Sequence, residues 1–256
     1  MGAIATNRGS IDLIEAGGGD ATPILFLHGV GSDHHVWAPQ IDHFSIDRRA
    51  IALAYPGYGN SDFIADATRD DYAASVLAAM DALTIERAHI CGLSLGGVVA
   101  IALHALARKR CASLIIADSF AVHPEGQAIY DRSEAASRTI GMRALAEARV
   151  DALLGSAATP AIRRLVIDTM SAISPAAYVL GARAVWLAEQ RDRAAAIDVP
   201  TLVLVGEEDG VTPPALSERL AAQIPGGKLA IIPRAGHLAN LEQPEAFNAT
   251  IDGFLR

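Results

Sequence analysis

A chain of 256 residues with 51% hydrophobic content is long enough for one large domain with a full core, and too apolar to be disordered. Its net charge of −8 argues against a nucleic-acid or anionic-membrane partner, and no run is apolar for long enough to cross a membrane. The two cysteines, Cys91 and Cys111, sit beside apolar runs, which fits reduced core residues in a cytoplasmic protein rather than a disulfide framework or a zinc site.

The opening "MGAIATNRGS" lacks the charged start and apolar core of a signal peptide. With Gly2 and Thr6 it matches a loose myristoylation pattern, but it reads on into a strand. The segments "IATNRG" and "IDLIEAGGG", with their turn residues, predict an antiparallel hairpin. The pattern then changes. "PILFLHG", "AIALAYPG", "HICGLS", "SLIIADS", "PTLVLVGEED" and "LAIIPRAGH" are short, continuously apolar runs that each stop at Gly, Asp or Pro. Such runs fit parallel strands covered on both faces.

Between several of them lie helical patterns: "DDYAASVLAAMDAL", "LGGVVAIALHALARKR" and "PPALSERLAAQI". Thr68 stands where it caps the first, and Pro213 or Pro214 opens the last. Alternating strand and helix predicts an α/β fold, a doubly wound, mostly parallel sheet with helices on both faces. From about His123 to Asp198 no strand is predicted, only Ala- and Arg-rich helix with breaks at Gly155, Pro160, Pro175 and Gly181. This segment reads as an insertion after the sixth strand. The core is then 1–122 with 199–256, and the insertion is 123–198. "NAT" at Asn248 fits a glycosylation sequon but reads as helix surface.

Ligands of open parallel sheets bind beyond the carboxyl ends of the strands, so the residues there are the candidates. After "HIC" comes Gly92-Leu93-Ser94-Leu95-Gly96, a G-x-S-x-G pattern whose glycines relieve the clash of strand against helix at a sharp turn. A serine hydroxyl becomes a nucleophile when a base takes its proton, and histidine suits that work near neutral pH. Of the eight histidines only His237 follows a late strand. His104 lies in a helical pattern, and His89 begins a strand. His123 opens the insertion. His34, His35 and His43 lie near the first helix, where "DHH" lacks accompanying metal-ligand spacing.

The carboxylate that orients the histidine is Asp209, at the tip of the preceding strand, with Asp118 at the tip of "LIIADS" as the rival. Glu207 and Glu208 lie nearer the strand body. Oxyanion donors are expected from the backbone N–H of Leu95, first in the helix after the serine, and of Val30 in "LHGVGSDHHVW", with Gly31 as the alternative.

The residues "LHGVG", "GLSLGG", "LVLVGEEDGVTPP" and "AGHLANLEQPEAF" resemble the α/β-hydrolase superfamily, which also has the order Ser94, Asp209, His237. "VWAPQ", "SPAAY" and "ANLEQPEAFNATIDGFL" are similar in particular to 3-oxoadipate enol-lactonases and related esterases, lactonases and cofactor-free perhydrolases. One departure is "AYPGYGNS", where Ala54 stands in place of the family's usual aspartate. The loop is then expected to be tied down differently, through Tyr55 or Tyr58.

The resemblance implies the α/β-hydrolase fold, with residues 123–198 as a helical cap over Ser94. His28, Gly29, Trp37 and Trp186 are expected along the substrate pocket, the tryptophans being equally good core residues. An enol-lactone substrate carries a carboxylate that an arginine would bind. The cap offers Arg132, Arg138, Arg143, Arg149, Arg163, Arg164 and Arg183, among which the sequence does not choose.

The activity expected is hydrolysis of a small-molecule ester or lactone through an acyl-enzyme, with no metal or organic cofactor. The oligomeric state is left open. Two rivals are a cofactor-free oxidoreductase on the same fold, a perhydrolase (haloperoxidase) or dioxygenase type, and a low-turnover ligand receptor.

Overall fold

The computed structural model describes residues 2–256. Its strands are β1 (Gly2–Thr6), β2 (Gly9–Ala16), β3 (Ala21–Leu27), β4 (Arg48–Leu53), β5 (Ala88–Leu93), β6 (Cys111–Ala117), β7 (Thr201–Gly206) and β8 (Lys228–Ile232). The helices are α1 (Ala38–Phe44), α2 (Arg69–Ala82), α3 (Leu95–Ala107), α4 (Gly126–Thr139), α5 (Gly141–Leu153), α6 (Pro160–Ala172), α7 (Pro175–Trp186), α8 (Arg191–Ala195), α9 (Pro214–Gln223), α10 (Ala239–Glu242) and α11 (Pro244–Leu255). A 3₁₀ turn, His34–Trp37, precedes α1.

The first two strands form the expected hairpin, so Gly2 and Thr6 are both paired strand residues. The sheet runs β1-β2-β4-β3-β5-β6-β7-β8, with β1, β2 and β4 antiparallel in sequence and every pair from β4 to β8 parallel. Successive side chains of a strand face opposite sides. Leu25 and Leu27 of β3 therefore join the core beneath α2 and α3, while Ile24 and Phe26 join the second core beneath α1 and α11. Burial on both faces is why these strands are apolar without alternation.

Helix starts follow local chemistry. The Thr68 hydroxyl accepts from the Asp71 N–H while the Asp71 carboxylate accepts from the Thr68 N–H, a reciprocal cap on α2. Between β6 and β7 the chain makes α4 to α8. Thr159 and Ser174 cap α6 and α7, and Pro160 and Pro175 occupy their first positions. Gly181 is not a break but lies inside α7, and it is glycine there because a Cβ would overlap the Tyr58 hydroxyl.

The loop after β4 lacks a carboxylate at Ala54, and Asp12 of the neighbouring β2 supplies one instead. It accepts from the Asn60 N–H at 2.9 Å, while Ser61 Oγ donates to the Ala54 carbonyl at 2.9 Å. Tyr58 completes the tie, donating to the Val30 carbonyl at 3.1 Å. Asn248, expected on a helix surface, is buried in α11, where its Oδ1 accepts from Gln40 Nε2 at 3.0 Å. Among the described residues no single helix is long and apolar enough to cross a membrane.

Candidate active site

Ser94 ends the turn from β5 into α3 with φ 54° and ψ −113°, in the left-handed half of backbone space that non-glycine residues rarely occupy. The turn is fixed on both sides. The Ser94 N–H donates to the Ala117 carbonyl at 2.9 Å, and the Ser94 carbonyl accepts from Gly97 N–H at 3.0 Å and from Ser119 Oγ at 2.8 Å. The glycines around it permit backbone contact rather than backbone freedom. A Cβ at Gly92 would overlap the Gly96 carbonyl, and one at Gly96 would overlap the Leu27 carbonyl of β3. The strand–turn–helix can hold Ser94 at the sheet edge only because these side chains are missing.

Asp209 lies three residues beyond β7 and His237 five beyond β8, and the sheet brings them together. His237 Nδ1 lies 2.9 Å from Asp209 Oδ2, and the Thr212 hydroxyl donates to the same oxygen at 2.6 Å. Asp209 Oδ1 accepts from the N–H groups of Val211 and Thr212 at 2.8 and 2.9 Å. Burial of Asp209 opposes its charge. The facing imidazole and the hydrogen bonds from His237 and Thr212 outweigh that and hold its carboxyl below the usual range.

Asp118, the rival, does not reach the histidine. Its Oδ1 accepts from Gly206 N–H at 2.8 Å and its Oδ2 has no hydrogen-bond partner among the described residues. Burial, with the charge of adjacent Asp209, pushes its carboxyl well above the usual range. The stretch carrying His237 is braced by Glu242, which sequence reasoning missed. Its carboxylate accepts from Gly236 N–H at 3.0 Å and from Gly155 N–H at the end of α5 at 2.7 Å.

The loop after β3 lies against the serine: a Cβ on Gly29 would sit 3.3 Å from Ser94 Cβ. His28 is not a pocket wall. Its ring is fully buried against Tyr55 and Tyr58, with centroids 4.5 and 4.9 Å away, and Nδ1 donates to the Gly29 carbonyl at 2.8 Å. Its Nε2 accepts from the Tyr55 N–H at 3.3 Å, a pair of roles that only the neutral ring can fill, and burial lowers its pKa to about 4. A trans peptide sets N–H opposite C=O. With the Gly29 carbonyl turned to His28, the Val30 N–H leaves on the other side of that peptide.

Ser94, His237, Gly29, Val30 and Gly31 line a narrow chamber with a cavity volume of about 40 Å³. Its far wall comes from the helices between β6 and β7: Arg149 and Leu153 of α5, Val166 and Met170 of α6, Tyr178 and Trp186 of α7. Trp186, stacked at 5.8 Å on Phe120, is in this wall. Trp37 is not. It is fully buried against Phe26 and Phe247, in the core beneath α1 and α11.

Asp33, His34 and His35 bring metal-type donor atoms within 4.8 Å of one another. The Asp33 carboxylate is already engaged there, accepting from the His35 N–H at 2.8 Å as the cap of the 3₁₀ turn.

The 3-oxoadipate enol-lactonase 1 of Acinetobacter baylyi is 29% identical, over 99% of this chain and 96% of that protein. The carboxylesterase YbfK of Bacillus subtilis is also 29% identical, over 98% and 86%. Among solved structures, the enol-lactonase from Burkholderia xenovorans LB400 superposes with a TM-score of 0.93 at 28% identity, covering 99% of both chains. The sequence profile described as the alpha/beta hydrolase fold matches residues 22–244, and the chain belongs to that family.

Proposed function

We propose that the protein is a serine hydrolase of small carboxylic esters or lactones. The observation that carries this reading is the convergence of Ser94, on a strained turn, and His237, bonded to Asp209, on one chamber. With Nδ1 committed to Asp209, His237 keeps Nε2 for the serine proton. Ser94 Oγ attacks the carbonyl carbon as His237 takes the proton, and the negative charge collects on the carbonyl oxygen. The N–H groups of Val30 and Leu95 receive that charge, the second reinforced by the start of α3. Collapse of the intermediate expels the alcohol, protonated by His237, and leaves an acyl group on Ser94. Water, deprotonated by the same histidine, attacks the acyl carbon and restores the serine.

Residues 123–198 act as a cap in this reading, since α5, α6 and α7 supply the chamber's apolar far wall. An apolar wall excludes water from the carbonyl and strengthens the electrostatics at Ser94. The likeness to enol-lactonases and to a carboxylesterase supports the ester and lactone class.

Treatment with an aryl sulfonyl fluoride tests this directly. The expected result is one adduct per chain, mapped to Ser94 by peptide mass, with loss of esterase activity in step. An adduct elsewhere, or activity that survives full labelling of Ser94, would refute the reading.

A further inference from the structure

The chamber at Ser94 is too small to enclose a whole ester. One water-sized group needs about 10–15 Å³ of cavity, so the chamber's 40 Å³ takes roughly three, an acetyl group and little more. Beside it lies a hollow of about 390 Å³. The two share a wall, since Arg149, Trp186 and Val211 border both. The hollow runs between Ile129 of α4 and Ala215 and Leu216 of α9, with Ala215 exposed to solvent.

The shared wall lies on the histidine's side of Ser94. Val211 follows Asp209 by two residues and its N–H donates to Asp209 Oδ1 at 2.8 Å, while the Thr212 hydroxyl stands 3.2 Å from His237 Nδ1. In acyl transfer the histidine that took the serine proton returns it to the departing oxygen, so the alcohol half of an ester lies on that side. The acyl half is left to the part of the chamber bordered by Gly31, Val166 and Met170, none of which borders the hollow. That part is tightly packed: a Cβ on Gly31 would sit 3.3 Å from Met170 Sδ. A second observation falls in the shared wall. The indole N–H of Trp186 is buried and has no acceptor among the described residues, an arrangement that is costly unless a ligand oxygen completes it.

We infer that the hollow is the subsite for the leaving alcohol, so that the enzyme takes open esters in which a short acyl group is joined to a larger alcohol passing beside Trp186 and Val211. This rests on the serine-hydrolase reading and names the substrate class of that site. Trp186, Val211 and Ala215 are here specificity residues and take no part in proton transfer.

Hexyl acetate and ethyl hexanoate test this, because they are isomers with primary alkanol leaving groups and differ in which half is long. Wild type is expected to favour hexyl acetate by about tenfold or more in kcat/KM, since even one methylene seated in an apolar pocket is worth about that much. Ala215→Trp fills the hollow away from the chamber. It should lower the preference about fivefold or more and leave methyl acetate within about twofold of wild type. Val211→Phe, in the shared wall, should lower the preference as well, and a fall in either variant supports the assignment.

A wild type that favours ethyl hexanoate or shows no preference, or a preference that survives both substitutions, overturns this inference and leaves the hydrolase reading standing. Equal losses on hexyl acetate and methyl acetate in Ala215→Trp overturn it too, since the hollow would then not be reading the alcohol. Failure to cleave any ester, with Ser94 inert to sulfonyl fluoride, overturns both readings.

Discussion

The ring of His28 donates from Nδ1 to the carbonyl of Gly29 at 2.8 Å, and that contact sets the peptide whose N–H belongs to Val30. In the proposed mechanism a buried histidine thereby orients an oxyanion donor, and it lies outside the chamber lining. His28→Ala should lower kcat by about tenfold or more while moving KM less than threefold, since the donor works only once negative charge develops on the carbonyl oxygen. Equal losses in kcat and in binding of a neutral competitive inhibitor would point to a general collapse of the loop instead.

Asp209 and Asp118 lie side by side, yet only Asp209 reaches His237. Asp209→Asn should cost about 10³–10⁴ in kcat, because an amide no longer holds the Nδ1–H tautomer. Asp118→Asn should stay within about threefold. The asparagine oxygen still accepts from Gly206, and the side chain makes no contact with His237 that the amide would lose. Steady-state kinetics of the two variants on one aryl ester decide the assignment, and reversed losses would move the acid role to Asp118.

The glycines of the turn make a sharp contrast with one elsewhere. A Cβ at Gly96 would run into the backbone of Leu27, whereas one at Gly253, on the outer face of α11, meets nothing within 4 Å. Gly96→Ala should cost about 3 kcal/mol or more, roughly 6 °C or more in Tm, where the protein is recovered folded. Gly253→Ala should gain about 0.5–1 kcal/mol from helix propensity alone. Thermal melts of both variants test the pair, and a Gly96→Ala protein as stable as wild type would remove the packing argument.

Acid should destabilise the fold through two histidines, one buried and one half-buried. Burial holds His28 at about 4, and burial next to Arg48 and Arg87 lowers His89 to about 4, against 6.5 for a free histidine. Below pH 6.5 the unfolded chain takes up protons at these rings while the folded chain does not. Stability present above pH 6.5 is therefore lost as pH falls toward 4. For His28 the shift from 6.5 to about 4 corresponds to about 3 kcal/mol. Urea unfolding between pH 7 and 4.5 should show this fall, with a shallower slope for His89→Gln. A free energy that stays flat from pH 7 to 5 would contradict it.

How much of this was readable from the chain depended on what sets each feature. Strand ends are punctuated locally by Gly, Asp and Pro, so Ser94, Asp209 and His237 stood out at the edge where ligands bind. The hairpin and the Thr68 cap were equally local. Burial by distant elements was not readable, and that is where Trp37, packed on Phe247, and His28, packed on Tyr55 and Tyr58, were misplaced and Asn248, bonded to Gln40, was put on the surface.

Features made by distant segments were invisible for a second reason. Asp12 supplies from β2 the carboxylate missing at Ala54, and Glu242 braces His237 to the end of α5. Of the cap arginines only Arg149 comes to line the chamber, where Ser133 of α4 and Tyr178 of α7 hold it. Spacing along the sequence carries none of these contacts.

The central claim is that Ser94 is the nucleophile, and hydrolysis of an aryl acetate and a small lactone by wild type and Ser94→Ala measures it most directly. The account predicts turnover of at least one substrate by wild type and a loss of about a thousandfold or more in the variant, with its fold unchanged by circular dichroism. A Ser94→Ala protein that keeps wild-type turnover would contradict it.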